Sequence, residues 1–413
     1  MNAYYHWLNS LVNRNQREFS AWSDIKWLNP YRAEDFQQIR DQLLSNMEGS
    51  MLFNNTKPYH HQISKGCQIC GSGKWSCLFI TNQCNASCFY CPTRQDLDEM
   101  PSTQGLDFEN AADYAEYVKH FGFKGVSFSG GEPLLFFNRT LEYLKAVRKS
   151  CGQDIYIWMY TNGILADKEK LQQLAEEGLD EIRFDIGATG FSLDKVKLAK
   201  GLIPVVTIEI PAVPEEKDKL MQLLPQMVEA GVHHLNLHQM RLTTYNADKV
   251  VKRGYTLLNA EKPIVLESEL MALEIIQYAK EQGLELGINY CSFHYKNRFQ
   301  KAGFRNILNE KLRALAHHTA NGFLREFKEN QLSYKSLKLY AEKPLKVETK
   351  DWIVEGKTYF VAEECIFAIK DLSDSQISNI HQLLAKEPQK APEDPLLFKI
   401  WQLEYLEQGL RAY

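Results

Sequence analysis

Residues 76–91, SCLFITNQCNASCFYC, decide how the rest of the chain is read. The first six, SCLFIT, suit a pleated strand, and the polar residues after them end the run. Cys84, Cys88 and Cys91 then follow at spacings of four and three. Thiolates at i, i+4 and i+7 on a compact loop can meet three corners of a cubic [4Fe-4S] cluster, each iron taking tetrahedral sulfur. A cluster built for electron transfer needs a fourth cysteine nearby. Pro92 follows Cys91, as proline often follows such a fourth ligand, but no further cysteine occurs before Cys151. One iron is therefore open to a ligand from outside the chain. Zinc favours paired C-x2-C modules separated by a longer loop, which this triplet is not.

Outward from this loop the chain has a rhythm. Strand-like runs SCLFIT (76–81), GVSFSG (125–130), IYIWMYT (155–161), EIRFDI (181–186), PVVTIEI (204–210), HLNLHQM (234–240) and LELGINY (284–290) alternate with helix-length amphipathic segments such as DFENAADYAEYVKHFG. Several of those segments end in glycine, the residue that accepts the left-handed conformation at a helix C-terminus. Alternation repeated about six times predicts a parallel sheet with right-handed crossovers, either an open doubly wound sheet or a curved partial barrel. In both, ligands bind beyond the carboxyl ends of the strands, which is where the cysteine loop falls.

The chain of 413 residues is longer than one barrel, since α/β barrels fold as one unit of about 200 to 250 residues. The expected division is an N-terminal helical cap over 1–74, a barrel over 75–291, a basic helical segment over 292–334 and a small α+β domain over 335–413. Hydrophobic content of 44% and charged content of 24% are globular. No run of about 18 apolar residues is present to span a bilayer, and the N-terminus lacks the order of a signal peptide, so a cytoplasmic protein is expected. Nine cysteines in such a chain argue for metal ligation rather than disulfides. A net charge of -4 gives no global reason to expect nucleic acid. Between residues 291 and 350, however, basic residues outnumber acidic ones thirteen to five. That skew steers an anionic partner or is simply a solvated basic helix face.

The pattern C-x3-C-x-aromatic-C, with Tyr90 as the aromatic, resembles that of radical S-adenosylmethionine (SAM) enzymes, and the resemblance covers about residues 75–290. It implies a partial (β/α)6 barrel. It also implies a [4Fe-4S] cluster on Cys84, Cys88 and Cys91 whose open iron is chelated by SAM. Reduction by a donor such as flavodoxin or ferredoxin then yields a 5'-deoxyadenosyl radical that abstracts hydrogen from the substrate. SGGEP, Ser129 to Pro133, is similar to the family's Gly-Gly-Glu segment, so Gly130, Gly131 and Glu132 are expected to hold SAM's amino group. By the same resemblance Asp185, with Arg183 beside it, meets SAM's ribose or carboxylate. Thr161 and Asn162 at the third strand end are further candidates. Glu209 and His238, near the ends of later strands, face the cofactor or are ordinary polar groups of a barrel interior.

Upstream, KGCQICGSG holds Cys67 and Cys70 as a C-x2-C pair followed by glycine, a half-site for a second iron-sulfur cluster or zinc. Its completion would draw on His60, His61, Cys77, Cys291 or His294, with Cys291 and His61 the expected additions. The alternative is reduced structural cysteine, the default also for Cys151 and Cys365. No residue is assigned as a radical relay; Tyr290 and Cys291, closing the last strand, are the ones to inspect for a catalytic role. Cysteines outside the main loop resemble those of radical SAM enzymes acting on peptides or small metabolites. A glycyl-radical activase and an RNA-modifying enzyme stay open, as does a non-catalytic iron-sulfur or zinc protein. No Asp-x-His-x-x-Gly run of a cobalamin domain is present.

Overall fold

The computed structural model describes residues 3–29, 34–47, 49–260, 262–312 and 317–328. Beyond them it describes shorter stretches: 331–336, 340–341, 352–354, 357–360, 363–368, 373–383, 393–394, 397–398 and 401. Seven strands carry the architecture: β1 (Trp75–Thr81), β2 (Gly125–Gly130), β3 (Tyr156–Thr161), β4 (Glu181–Phe184), β5 (Val205–Pro211), β6 (His234–His238) and β7 (Gly287–Cys291). Each pairs in parallel with the next in chain order. Burial is continuous along β4 and β7, as strands covered on both faces require, while β1 leaves Phe79 exposed.

The crossovers carry α1 (Ala111–Phe121), α2 (Phe137–Cys151), α3 (Lys168–Glu176), α4 (Asp194–Lys197), α5 (Lys217–Glu229) and α6 (Leu266–Glu281). Capping sets the ends of α1. The Asn110 side chain accepts from the Asp113 N–H, and Gly122 takes the left-handed conformation at φ 64°. Outward-facing Val126, Phe128, Ile157, Ile182, Val206, Leu235 and Ile288 pack against helix residues such as Leu144, Leu171, Leu224 and Ile276 in one core. Each such buried side chain contributes about 1.5–3 kcal/mol.

The sheet does not close on itself among the described residues. Beside β1 it takes the antiparallel strand Ser102–Thr103, and beside β7 the antiparallel strand Lys57–His60. It is a partial barrel: six strand-helix units with a seventh parallel strand ending the series. Inward positions are polar. Arg183 donates to Glu181 at 2.8 Å and to Glu209 at 2.7 Å, and Asn236 donates to Glu209 at 2.8 Å. The helix Lys65–Gly71, which carries the C-x2-C pair, packs into this interior. A Cβ on its Gly66 would lie 2.4 Å from Arg183 Nη2 and 2.7 Å from Glu181 Oε2, so only glycine fits.

At the N-terminus Ala3–Glu18 and Glu34–Ser45 are helices, and Arg40 ties the second to Glu269 of α6 at 3.1 Å. The expected basic helical segment is shorter than 292–334. Helical structure runs from Phe293 to Leu312, with a π-helical turn over Lys296–Lys301. Antiparallel strands follow from His317, including the pair Phe323–Lys328 and Gln331–Ser336. Gln331–Ser336 opens with polar and apolar residues in alternation, the period of a strand, and pairs along its whole length with Phe323–Lys328. Nor are the arginines a solvated face. Arg298, Arg305 and Arg325 are buried, with Arg305 donating to the Asn321 carbonyl at 2.7 Å. Strands at 340–341, 352–354, 357–360 and 363–368 and the helix Asp374–Leu383 follow, and the strand 363–368 pairs with Gln331–Ser336 across the expected boundary at 335. Most of the remainder lies outside the described residues, as does the side chain of Cys365.

Candidate functional site

A cavity of about 430 Å3 lies over the carboxyl ends of the strands. One wall is the loop after β1, presenting Cys84, Cys88 and Cys91, and the next is Ser129, Gly130 and Gly131 at the end of β2. Tyr160, Thr161, Asn162, Arg183, Asp185, Glu209 and His238 continue the wall strand by strand. Arg241, Phe293 and Lys296 face them.

The three loop thiols are free and half-buried. Cys84 accepts from the Ala86 N–H at 3.4 Å and from Asn162 Nδ2 at 3.6 Å. Burial, with Asp185 nearby, pushes the Cys88 thiol up to about 11, a shift that a bound metal cation reverses. Three unbridged soft donors on one cavity wall, two of them spaced by a turn in which the Cys91 N–H meets the Cys88 carbonyl at 3.2 Å, fit an iron-sulfur cluster.

The Gly-Gly-Glu segment is clamped to that loop. The Gly131 N–H donates to the Thr81 carbonyl at 2.7 Å and the Glu132 N–H to Gln83 at 2.9 Å. A Cβ on Gly130 would sit 2.1 Å from the Thr81 carbonyl oxygen, and one on Gly131 2.0 Å from that of Gln83. These glycines permit backbone to touch backbone as well as to border the cavity. Glu132 is placed differently from expectation. It is 0% exposed, is not among the cavity-lining residues, and accepts from Leu134 N at 2.9 Å, Thr161 Oγ1 at 2.8 Å and Asn162 N at 2.6 Å. It buttresses the two residues that do line the cavity. Burial pushes its carboxyl up to about 7 despite those donors.

Asp185 is the N-cap of the short turn after β4, accepting from the Gly187 N–H at 3.0 Å. Tyr90 reaches it from the cysteine loop. Burial raises Asp185 to about 6. Farther round, Lys296 Nζ meets His238 Nδ1 at 2.7 Å and His238 Nε2 meets Glu209 at 2.5 Å. Burial opposes ionisation of Glu209, but Arg183 and His238 outweigh it and hold this carboxyl below its usual range. His238 is driven down by burial and then by Lys296. Lys296, Arg241, Phe293 and Lys57 were not singled out from sequence. Arg241 follows the end of β6 by three residues; burial lowers its pKa, and its guanidinium stacks 5.4 Å from the Phe293 ring.

Behind the wall formed by Tyr160, Arg183, Glu209, His238 and Lys296 lies a second cavity of about 140 Å3, where Cys67, Cys70 and Cys291 come together beside Lys57. His61 does not join them. Register explains why: Tyr59 and His60 lie opposite Asn289 and Ile288, so continuing the antiparallel pairing sets Lys57 across from Cys291, while His61 leaves the strand exposed with φ 60°. His60 instead meets the Leu284 carbonyl at 2.7 Å, and neither His294 nor Cys77 lines this cavity. Tyr290 is also corrected. Alternation along β7 turns Asn289 and Cys291 inward and Tyr290 outward into the apolar core, 1% exposed and outside both cavities.

Residues 78–224 match the Radical SAM superfamily. A Methanocaldococcus jannaschii protein named "Putative glycyl-radical enzyme activating enzyme" is 30% identical over 268 residues, 62% of this chain and 69% of that relative. A GTP 3',8-cyclase of Corynebacterium glutamicum is 31% identical over 115 residues, 26% of this chain and 29% of the cyclase. Among solved structures, Streptococcus suis SuiB aligns at 14% identity with a TM-score of 0.37, covering 52% of this chain and 48% of its own, too distant to argue from. The chain belongs to the radical SAM superfamily and is a radical SAM enzyme. Membership implies a [4Fe-4S] cluster and SAM. No helix among the described residues is long and apolar enough to cross a membrane.

Proposed function

We propose that this enzyme abstracts hydrogen from a peptide or small metabolite seated between the strand ends and the facing wall of Arg241, Phe293 and Lys296. Cys84, Cys88 and Cys91 would hold the cluster. The backbone at Gly130 and Gly131, with Thr161, Asn162 and Asp185, would hold SAM, and Arg241 would take its carboxylate. When bound, these groups supply the 5'-deoxyadenosyl radical; the protein's task is to orient and to keep water out. Tyr90 and Asp185 fix the cysteine loop to β4, and Glu132 stiffens the Thr161–Asn162 corner.

The observation that carries the proposal is the single cavity wall shared by the three thiols and the Gly-Gly segment, which a non-catalytic iron-sulfur protein has no use for. The relative named as an activating enzyme supports a polypeptide as the first substrate to try. A flavodoxin- or ferredoxin-like donor in the cytoplasm completes the reading. The test is isotope transfer. Reconstituted enzyme, SAM and dithionite are incubated with deuterated cell extract split by size, and 5'-deoxyadenosine is analysed by mass spectrometry. Deuterium gained from the peptide or small-molecule fraction supports the proposal. Gain only from the RNA fraction, or from none, overturns it.

A further inference from the structure

The smaller cavity has no part in holding SAM, yet its chemistry is specific. Cys67 and Cys70 come from the helix Lys65–Gly71, and Cys291 from the end of β7. All three are buried and free. Lys57, 0% exposed, donates to Cys291 Sγ at 2.7 Å, and Gln300 Nε2 donates to Cys70 Sγ at 2.7 Å. A barrel plug needs only apolar side chains. Gathering three thiols, an ammonium and an amide away from water is costly unless something binds the sulfurs and accounts for the charge.

We propose that Cys67, Cys70 and Cys291 ligate a second iron-sulfur cluster inside the barrel, with Lys57 and Gln300 donating to its cysteine sulfurs. Size and spread separate a cluster from a single zinc ion. The cavity of about 140 Å3 is large beside the roughly 10–15 Å3 that admits one water. Among the described residues, no three Cys, His, Asp or Glu side chains form a single-ion site. A cubic cluster gives each thiolate its own iron, so spread thiols suit it. Ligation forms one Fe–S bond per cysteine and releases one thiol proton for each, and the Lys57 ammonium offsets part of the resulting negative charge. Three thiolates leave one iron without a cysteine. Glu209, His238 and Lys296 lie between this cavity and the larger one, so the second cluster backs onto the reaction chamber.

The test removes the first site. Full-length protein carrying Cys84→Ala, Cys88→Ala and Cys91→Ala is reconstituted anaerobically with iron and sulfide, and both elements and zinc are counted. The prediction is about four irons and four sulfides per chain with cluster Mössbauer parameters, lost on adding Cys67→Ala and Cys70→Ala. A folded triple variant that binds no iron, or binds one zinc and no sulfide, overturns the proposal. Should the triple variant not fold, the native chain decides: about eight irons, falling to about four with Cys291→Ser, supports the second cluster, and about four in both overturns it. The outcome is independent of SAM chemistry. Iron in the triple variant beside a native enzyme that makes no 5'-deoxyadenosine would sink the function proposed above and leave this cluster standing.

Discussion

The Tyr90 hydroxyl donates to both carboxylate oxygens of Asp185, at 2.9 and 3.1 Å, joining the cysteine loop to a strand end 95 residues away in sequence. Tyr90→Phe leaves the half-buried Asp185 with the Gly187 N–H as its remaining described donor. The expected cost is about 1–3 kcal/mol of stability in thermal or urea denaturation. Iron should be retained on Cys84, Cys88 and Cys91, since no thiol is removed, although the Tyr90 hydroxyl also hydrogen-bonds the Cys88 thiol. Loss of iron in step with stability would show that the contact holds the loop's ligand geometry itself.

Gly131→Ala should be far more damaging than its size suggests. The new methyl would meet the Gln83 carbonyl oxygen, a backbone atom that cannot swing aside. A cost of about 3 kcal/mol or more is expected, with the cysteine loop displaced and iron content after reconstitution sharply reduced. Iron analysis and circular dichroism on the same sample check both parts.

Arg241 meets no carboxylate among the described residues, although it lines the cavity near Cys91. As the partner of SAM's carboxylate it should contribute a charge-assisted hydrogen bond. Arg241→Ala is expected to weaken SAM binding about 10- to 150-fold, the equivalent of about 1.5–3 kcal/mol. Equilibrium dialysis against the reconstituted enzyme measures this. Unchanged SAM affinity with impaired substrate turnover would move Arg241 to the substrate side.

Glu132 sets a pH dependence of stability. Its folded value of about 7 lies above the ordinary 4.5, so between those two pH values the folded state binds more protons than the unfolded. Stability therefore falls as pH rises through that window. The penalty is absent below about pH 4.5 and reaches about 3 kcal/mol above pH 7. Glu132→Gln should flatten the slope, while losing about 1–3 kcal/mol because its amide NH2 must face one of two backbone donors, Leu134 N–H or Asn162 N–H, which bond different oxygens of the carboxylate. Urea midpoints of the cluster-free chain at pH 5 and pH 8 read both effects.

The strand rhythm was legible because short runs rich in β-branched and aromatic residues, their outward positions apolar, recur between glycine and polar stops. The cysteine loop and the Gly-Gly pair were legible because their chemistry is local. Lys57 and Lys296 were not. Lys57 matters through a partner 234 residues distant, and only the register of the Lys57–His60 strand against β7 reveals it. Tyr290 was misjudged for a related reason: one residue's shift along a strand exchanges the barrel interior for the helix-facing core. Glu132 was expected to meet the cofactor, but its fully buried carboxyl serves Thr161 and Asn162 rather than bordering the cavity.

The most direct measurement is 5'-deoxyadenosine release from the anaerobically reconstituted chain supplied with SAM and dithionite. Release by the native sequence, abolished in Cys88→Ala although the protein stays folded, is the predicted result. A native chain whose loop carries its full complement of iron and yet forms no 5'-deoxyadenosine would contradict the account.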